Sequence, residues 1–180
     1  HKSSRGLGDV YKRQVYWCPD CNSALAEAEV EYKDKTSSSI DFLFEMETSS
    51  VNEIFNTSVD ETIKTSFLSW TTTPWTIPGN VALSVNPNLD YSLLEVNTDN
   101  SMQCLIICKD LIDSVLERCS ISDFTILSTK PGSILESAEA KHPYFDRKST
   151  VILGDHVTTE MGTGIVHTAP AHGLSLIHIS

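Results

Sequence analysis

Long apolar runs, basic clusters and a full set of metal ligands are what this sequence lacks. No apolar stretch approaches the roughly 20 residues that a membrane-spanning helix needs. No charged-then-apolar leader precedes a cleavage site, so a soluble cytoplasmic protein, with no membrane partner, is expected. Acidic residues outnumber basic ones 24 to 13, for a formal net charge of −11. That balance excludes nucleic-acid binding by broad phosphate neutralisation, and any such contact has to be local or supplied by another domain. The five cysteines are an odd count and fit a reducing compartment; Cys104 and Cys108 lie within one apolar run and read as buried free thiols. No internal repeat or long linker interrupts the 180 residues, enough for one domain with a sizeable core.

Both ends look foreign. Asp9–Gln14 and Leu174–Ile179 are what a single DNA element encodes when read on opposite strands, and that element resembles the transposon end of sequencing-library adaptors. Residues 1–14 and 174–180 are therefore expected to be adaptor-derived, and Val15 to Gly173 to be the natural stretch, cut at both ends.

Within that stretch most segments alternate or run short and apolar, as strands do. Glu29–Tyr32, Ile40–Met46, Ser66–Trp70, Val81–Val85, Tyr91–Val96, Met102–Cys108, Phe124–Leu127 and Ile165–His167 all fit. The clearest helix is Asp110–Cys119, with Leu111, Val115, Leu116 and Cys119 on one face. Thr48 to Thr65 is polar and irregular and reads as a surface excursion, while Lys130–Gly132 and Lys141–Pro143 read as turns. Strand-dominated order with one clear helix predicts an α+β domain built on a curled sheet or barrel.

Three constellations could carry chemistry. The first is Trp70-Thr71-Thr72-Thr73-Pro74-Trp75-Thr76-Ile77-Pro78-Gly79-Asn80, directly after an apolar strand. Proline lacks the amide and fixes its own φ, so the ladder stops there and the hydroxyls become available to a ligand. Trp70 and Trp75 could wall a pocket, although a lone Trp or Thr most often fills a core or favours a strand. The second is Gly162-Thr163-Gly164-Ile165-Val166-His167, followed by a loop carrying His172. Gly162 and Gly164 allow close backbone approach to a ligand. Either histidine could take a proton near neutral pH, yet a lone histidine is more often a hydrogen-bonded structural residue. The third is Cys18-Pro19-Asp20-Cys21, with knuckle spacing for zinc but no second Cys/His pair to complete four ligands.

Taken in order and spacing, the Trp17–Cys21 segment, Ala24–Tyr32, the threonine run, Ile152–Val157 and Gly162–Pro170 resemble the isoleucyl-tRNA synthetases of bacterial type, over nearly all of Val15–Gly173. The related valyl and leucyl enzymes differ at Pro74-Trp75 and at His167. The resemblance implies a distorted β-barrel, the CP1 editing domain, inserted into a Rossmann catalytic domain, and a reaction: hydrolysis of valine from misacylated tRNA(Ile), and of valyl-adenylate. Thr71, Thr72 and Thr73 are then the peptide that holds the terminal adenosine and a hydrolytic water. Trp70 and Trp75, with Gly162 and Gly164, border the substrate, and His167 is the bulk that admits valine and refuses isoleucine. An activated ester needs a placed water and a polarised carbonyl rather than a covalent nucleophile. Rejecting one methylene needs a second, smaller site, for which isoleucyl-tRNA synthetase and its valine error are the standing example.

The stretch itself carries no cofactor under this reading; ATP and magnesium belong to the full-length enzyme, and zinc at Cys18 and Cys21 would take ligands from elsewhere. Ala171 stands where the family usually has Gly. The aspartate that the family places after Gly173 to hold the substrate ammonium is replaced by the adaptor-like peptide, so weak hydrolysis is expected of the chain as written. The competing reading is a non-catalytic β-domain that binds a tRNA 3′ end or an adenosine-containing ligand.

Overall fold

A computed structural model describes residues 15–31, 36–98 and 101–170, with the backbone alone at Glu27. The two flanks and the segment containing Ala171, His172 and Gly173 lie outside these residues. In chain order the strands are β1 (Tyr16–Cys18), β2 (Ser23–Leu25), β3 (Ile40–Met46), β4 (Lys64–Thr71), β5 (Ala82–Val85), β6 (Asp90–Thr98), β7 (Ser101–Cys108), β8 (Phe124–Pro131), β9 (Glu139–Lys141), β10 (Lys148–Leu153) and β11 (Val166–Thr168). The helices are α1 (Thr48–Phe55) and α2 (Ile112–Arg118), the latter entered through a 3-10 turn at Lys109–Leu111.

β1 and β2 form a separate antiparallel hairpin. The other strands make a five-stranded sheet in the order β3-β4-β7-β6-β8 and a four-stranded sheet in the order β11-β5-β10-β9. Pairing is antiparallel except for β4 with β7 and β5 with β10. The chain leaves the first sheet at Thr71 and enters the second at Ala82 through the 3-10 segment Pro74–Gly79. One core joins both sheets: Phe44, Phe67, Leu93 and Ile106 from the first are fully buried in the same cluster as Leu83, Val85 and Val151 from the second. Burying a side chain of this size contributes about 1.5–3 kcal/mol, which is why the inward half of each alternating segment fixes its register.

The expected α+β, β-rich architecture is present, with one difference in the barrel. Among the described residues the ladders do not close; β9 lies beside β3, β11 lies against β4, and hydrogen bonds outside the ladders bridge the sheets. Ser69 Oγ donates to the Ile165 carbonyl at 3.0 Å, the Cys108 amide to the Thr163 carbonyl at 3.0 Å, and the Tyr91 hydroxyl to the Gly164 carbonyl at 2.7 Å. Gly164 is held at φ +74, and a Cβ there would lie 2.2 Å from Cys108 Cβ. Only glycine accepts that backbone so close to β7.

Three expectations fail for local reasons, the turn at Lys130–Gly132 among them, since β8 runs through Pro131 and a 3-10 turn begins at Gly132. Thr48–Thr65 begins with a helix, not an irregular excursion: Val51, Ile54 and Phe55 supply a narrow apolar stripe, and Val51 and Phe55 are fully buried. Its end is closed by Asn56 in the left-handed region and by Asn52, whose amide donates to the Val59 carbonyl and whose oxygen accepts the Val59 amide. Glu29–Glu31 is not a strand; Glu27–Glu29 is a 3-10 turn in which the Glu29 carboxylate accepts the Ala26 amide at 2.7 Å, and Tyr32 lies outside the described residues. Alternation without a pairing partner gives no strand.

The 3-10 segment after the threonines is clamped from the β9–β10 turn. His142 Nε2 donates to the Ile77 carbonyl at 3.0 Å while its Nδ1 accepts the Tyr144 and Phe145 amides, and Arg147 Nη2 donates to the Pro78 carbonyl at 2.6 Å. The two accepted amides require a neutral ring at Nδ1. Burial, with the nearby Arg147 charge, pushes the His142 pKa below the ordinary value of 6.5 against the opposing pull of the Ile77 carbonyl.

Two outcomes follow from this packing. Because the folded-state pKa of His142 lies below the unfolded one, its contribution is complete above about pH 6.5 and is lost as pH falls through the folded value. Denaturant titrations at pH 7.5 and pH 5.5 should show a smaller loss for His142→Gln than for the parent; equal losses would remove His142 from the acid response. Gly164→Ala should cost on the order of 2–3 kcal/mol at pH 7.5, from positive φ plus steric contact, and an unchanged denaturation midpoint would refute the tight approach to β7.

Candidate functional site

β4 is buried along most of its length up to Thr71, and the chain then turns because the next residues cannot extend the ladder. The Thr73 amide donates to Thr71 Oγ1 at 3.0 Å, and the two hydroxyls lie 3.2 Å apart. Thr71 is buried, Thr72 half-buried and Thr73 exposed, so the run passes from the core to the surface within three residues. Pro74 opens the 3-10 segment, and Thr76 turns its hydroxyl back to the Thr73 carbonyl at 2.7 Å.

The opposite wall comes from the glycine-flanked segment before β11. Gly162 sits at φ +83, and a Cβ there would meet the Trp70 ring at 3.3 Å, so the backbone lies flat against the indole. β11 pairs antiparallel with β5, which sets His167 opposite Leu83 and brings its ring under the segment that leads into β5. His167 Nε2 lies 2.7 Å from Thr76 Oγ1, and its Nδ1 lies 3.2 Å from the Asn80 amide nitrogen. Phe42 meets the ring edge-on with centroids 6.0 Å apart.

These bonds settle the ring's protonation pattern. The Asn80 nitrogen also donates to the Ala82 carbonyl at 2.8 Å, so it is a donor toward Nδ1. Nδ1 therefore accepts, Nε2 carries the proton, and the Thr76 oxygen receives it while giving its own to Thr73. With both nitrogens engaged and 8% of its surface exposed, the His167 ring is held in place on both sides.

Between the two walls is a cleft of about 310 Å³. Trp70, Thr71, Thr72, Thr73, Gly162, Gly164 and His167 all line it, so segments that are weak signals separately share one cavity. Trp75 does not line it and is 71% exposed. His156, Thr158, Glu160 and Met161, which no sequence pattern marks as site residues, also line it. Their approach depends on the loop after β10 folding over Trp70, and no periodicity marks that. The described lining contains one carboxylate, Glu160, and neither Lys nor Arg.

Cys18 and Cys21 lie together at the hairpin turn, outside this lining, with the Cys21 amide 3.4 Å from Cys18 Sγ. Amide donation from Cys21, then its side chain and the Asp20 amide, lower the Cys18 pKa. Among the described residues no group of three or more His, Cys, Asp or Glu side chains could hold a metal, so this pair does not make a complete site. Cys104 and Cys108 are buried free thiols, and burial pushes the Cys104 thiol up to about 11. No described helix is long and apolar enough to cross a membrane.

The family described as tRNA synthetases class I (I, L, M and V) matches residues 5–165. An isoleucine–tRNA ligase of Shewanella sp. (strain W3-18-1) is 51% identical over 169 residues, covering 92% of this chain and 18% of that protein. The isoleucine–tRNA ligase of Coxiella burnetii (strain Dugway 5J108-111) is 46% identical over 164 residues, covering 91% and 17%. The chain thus spans less than a fifth of the length of these relatives. Among solved structures, the leucyl-tRNA synthetase domain GlLeuRS-CP1 superposes with a TM-score of 0.62 at 18% identity, over 74% of this chain and 55% of that one. The cytosolic leucyl-tRNA synthetase editing domain of P. knowlesi gives 0.61 at 17% identity, over 73% and 57%. The chain belongs to the class I tRNA synthetase family of the isoleucine, leucine, methionine and valine group, and it folds as the leucyl-tRNA synthetase editing domains do.

Proposed function

We propose that this chain is the editing part of a bacterial-type isoleucyl-tRNA synthetase, and that the cleft hydrolyses the ester of valine misattached to tRNA(Ile). The observation that carries this reading is the convergence of Thr71–Thr73 and His167 on one cavity from segments far apart in the sequence. The threonine hydroxyls and turn amides provide donors and acceptors for the terminal adenosine and a water. Trp70 flanks them. Because the ester is already activated, holding water and carbonyl in register supplies most of what the reaction needs.

His167 acts through its bulk. Its ring is fixed by Thr76 and Asn80 and lines the cleft, where on this reading it meets the acyl side chain. A rigid wall rejects an added methylene by steric contact, which a flexible one would not. The lining also suits this substrate electrostatically: Glu160 favours the cationic ammonium of the aminoacyl group, and the lack of Lys or Arg there leaves tRNA phosphates to be held by another domain. That domain, on this reading, is the Rossmann catalytic domain of the full-length cytoplasmic enzyme.

Slow release of valine from valyl-tRNA(Ile), with isoleucyl-tRNA(Ile) left intact, is the expected outcome of a deacylation assay on the chain as written. His167→Ala should raise hydrolysis of isoleucyl-tRNA(Ile) by on the order of tenfold or more, about the discrimination one methylene carries. A variant that still spares isoleucine would refute the wall. Binding of valyl-tRNA(Ile) without release of valine would establish the non-catalytic module instead.

A further inference from the structure

The ring of His167 is fixed by Asn80, but something must in turn fix Asn80. A buried amide can flip, exchanging its oxygen and nitrogen, and a flip would present an acceptor to the Nδ1 of His167. Asn80 is fully buried, so water is not at hand to satisfy either orientation.

The Ala82 carbonyl sets which end of the amide faces His167, and Ser149 satisfies the other end; without its hydroxyl the buried Asn80 oxygen loses this donor and the amide is released from that arrangement. Ser149 lies on β10, is fully buried, and its hydroxyl donates to Asn80 Oδ1 at 2.6 Å. The neighbouring pair Thr150 and Ala82 is the first of the parallel β5–β10 register, which sets Ser149 beside the residue that leads into β5. The result is a chain of donors running one way: Ser149 to Asn80, Asn80 to His167, His167 to Thr76, and Thr76 to the Thr73 carbonyl. Its direction is forced at both ends. The Thr73 carbonyl can only accept, and the Asn80 nitrogen must serve the Ala82 carbonyl. Aligned bonds of this kind polarise one another and favour a single arrangement.

We propose that Ser149 is a positioning residue, which through the Asn80 amide holds His167 as the Nε2–H tautomer and in the orientation that walls the cleft. Its effect on acyl selectivity rests on the editing reading above; its effect on the tautomer does not. Nothing in the threonine run or the Gly162–His167 segment points to Ser149, which the β5–β10 pairing alone brings to the site.

The test uses the chain labelled with 15N-histidine, in which long-range proton–nitrogen spectra distinguish the two neutral tautomers. The parent should show only the Nε2–H form at His167. Ser149→Ala should give a mixture or the opposite form, and Ser149→Cys, with a weak S–H donor, a smaller change. Ser92→Ala is the control: it removes another fully buried hydroxyl, 2.8 Å from Thr129 on the far sheet, and should leave His167 unchanged. If Ser149→Ala does not fold, the Cys variant decides. An unaltered tautomer in the folded Ser149 variants, or an equal shift in Ser92→Ala, overturns the proposal.

A second measurement compares binding of adenosine carrying valine or isoleucine through a non-hydrolysable amide. Selectivity for valine should fall about tenfold in Ser149→Ala and hold in Ser92→Ala. Unchanged selectivity with a shifted tautomer would overturn the selectivity role. A parent that binds neither compound would sink the editing reading while the spectra still decide the tautomer.

Discussion

The hydrogen bond between His167 and Thr76, 2.7 Å long across 91 residues of sequence, is the contact on which the cleft depends. It ties β11 to the segment that carries the chain from one sheet to the other. With the Ser69–Ile165 bond and the β5–β11 ladder it sets the threonine run against the Gly162–His167 segment. The His167–Thr76 bond is buried, so breaking it would leave an unsatisfied donor and acceptor in the core, at a cost of about 1–3 kcal/mol. The clamp from His142 and Arg147 holds the same segment from its other side. Six residues of 3-10 turn are thereby fixed from two directions.

Rigidity of this kind answers a chemical requirement of the proposed reaction. An ester activated by its leaving group needs little acid–base help, but excluding a substrate one methylene larger needs walls that do not yield. The structure spends its polar groups accordingly. Both nitrogens of His167 go to holding the ring, and the hydroxyl of Thr76 goes to the Thr73 carbonyl. Thr72 and Thr73 line the cleft, Thr72 half-buried and Thr73 exposed. The strongly acidic chain bears no cation along the described lining, which favours a local grip on an aminoacyl adenosine over a broad grip on the nucleic acid.

Backbone placement matters as much as side chains. Gly162 lies against Trp70 and Gly164 under Cys108, each with a positive φ. The Tyr91 hydroxyl donates to the Gly164 carbonyl and accepts the Asn86 amide, and burial raises its pKa far above the ordinary range. A phenol that stays protonated is a dependable donor beneath the cleft floor.

Much of the fold was legible because strand alternation is a local property. Ile40–Met46 is a strand with the expected bounds, and Met102–Cys108 and Tyr91–Val96 are strands that extend slightly further. The helix expected at Asp110–Cys119 occurs as a 3-10 turn followed by Ile112–Arg118, with Leu111, Val115 and Leu116 buried as the apolar face required. Helix α1 was hidden because its apolar stripe is narrow and its surroundings polar, and the short β9 and β10 because their strand character comes from partners. The composition of the two motifs was likewise enough to single out Thr71–Thr73 and His167. What the sequence by itself determined was most of the segments that extend, the faces they bury and a set of candidate site residues, since these follow from side-chain period and type. Only the tertiary structure decided that Trp75 stays outside the cleft, that Glu160 enters it, that His167 is a neutral wall, and that Ser149 stands behind it. Each depends on which strands pair and how loops fold across them, and pairing between distant segments leaves no local period to read.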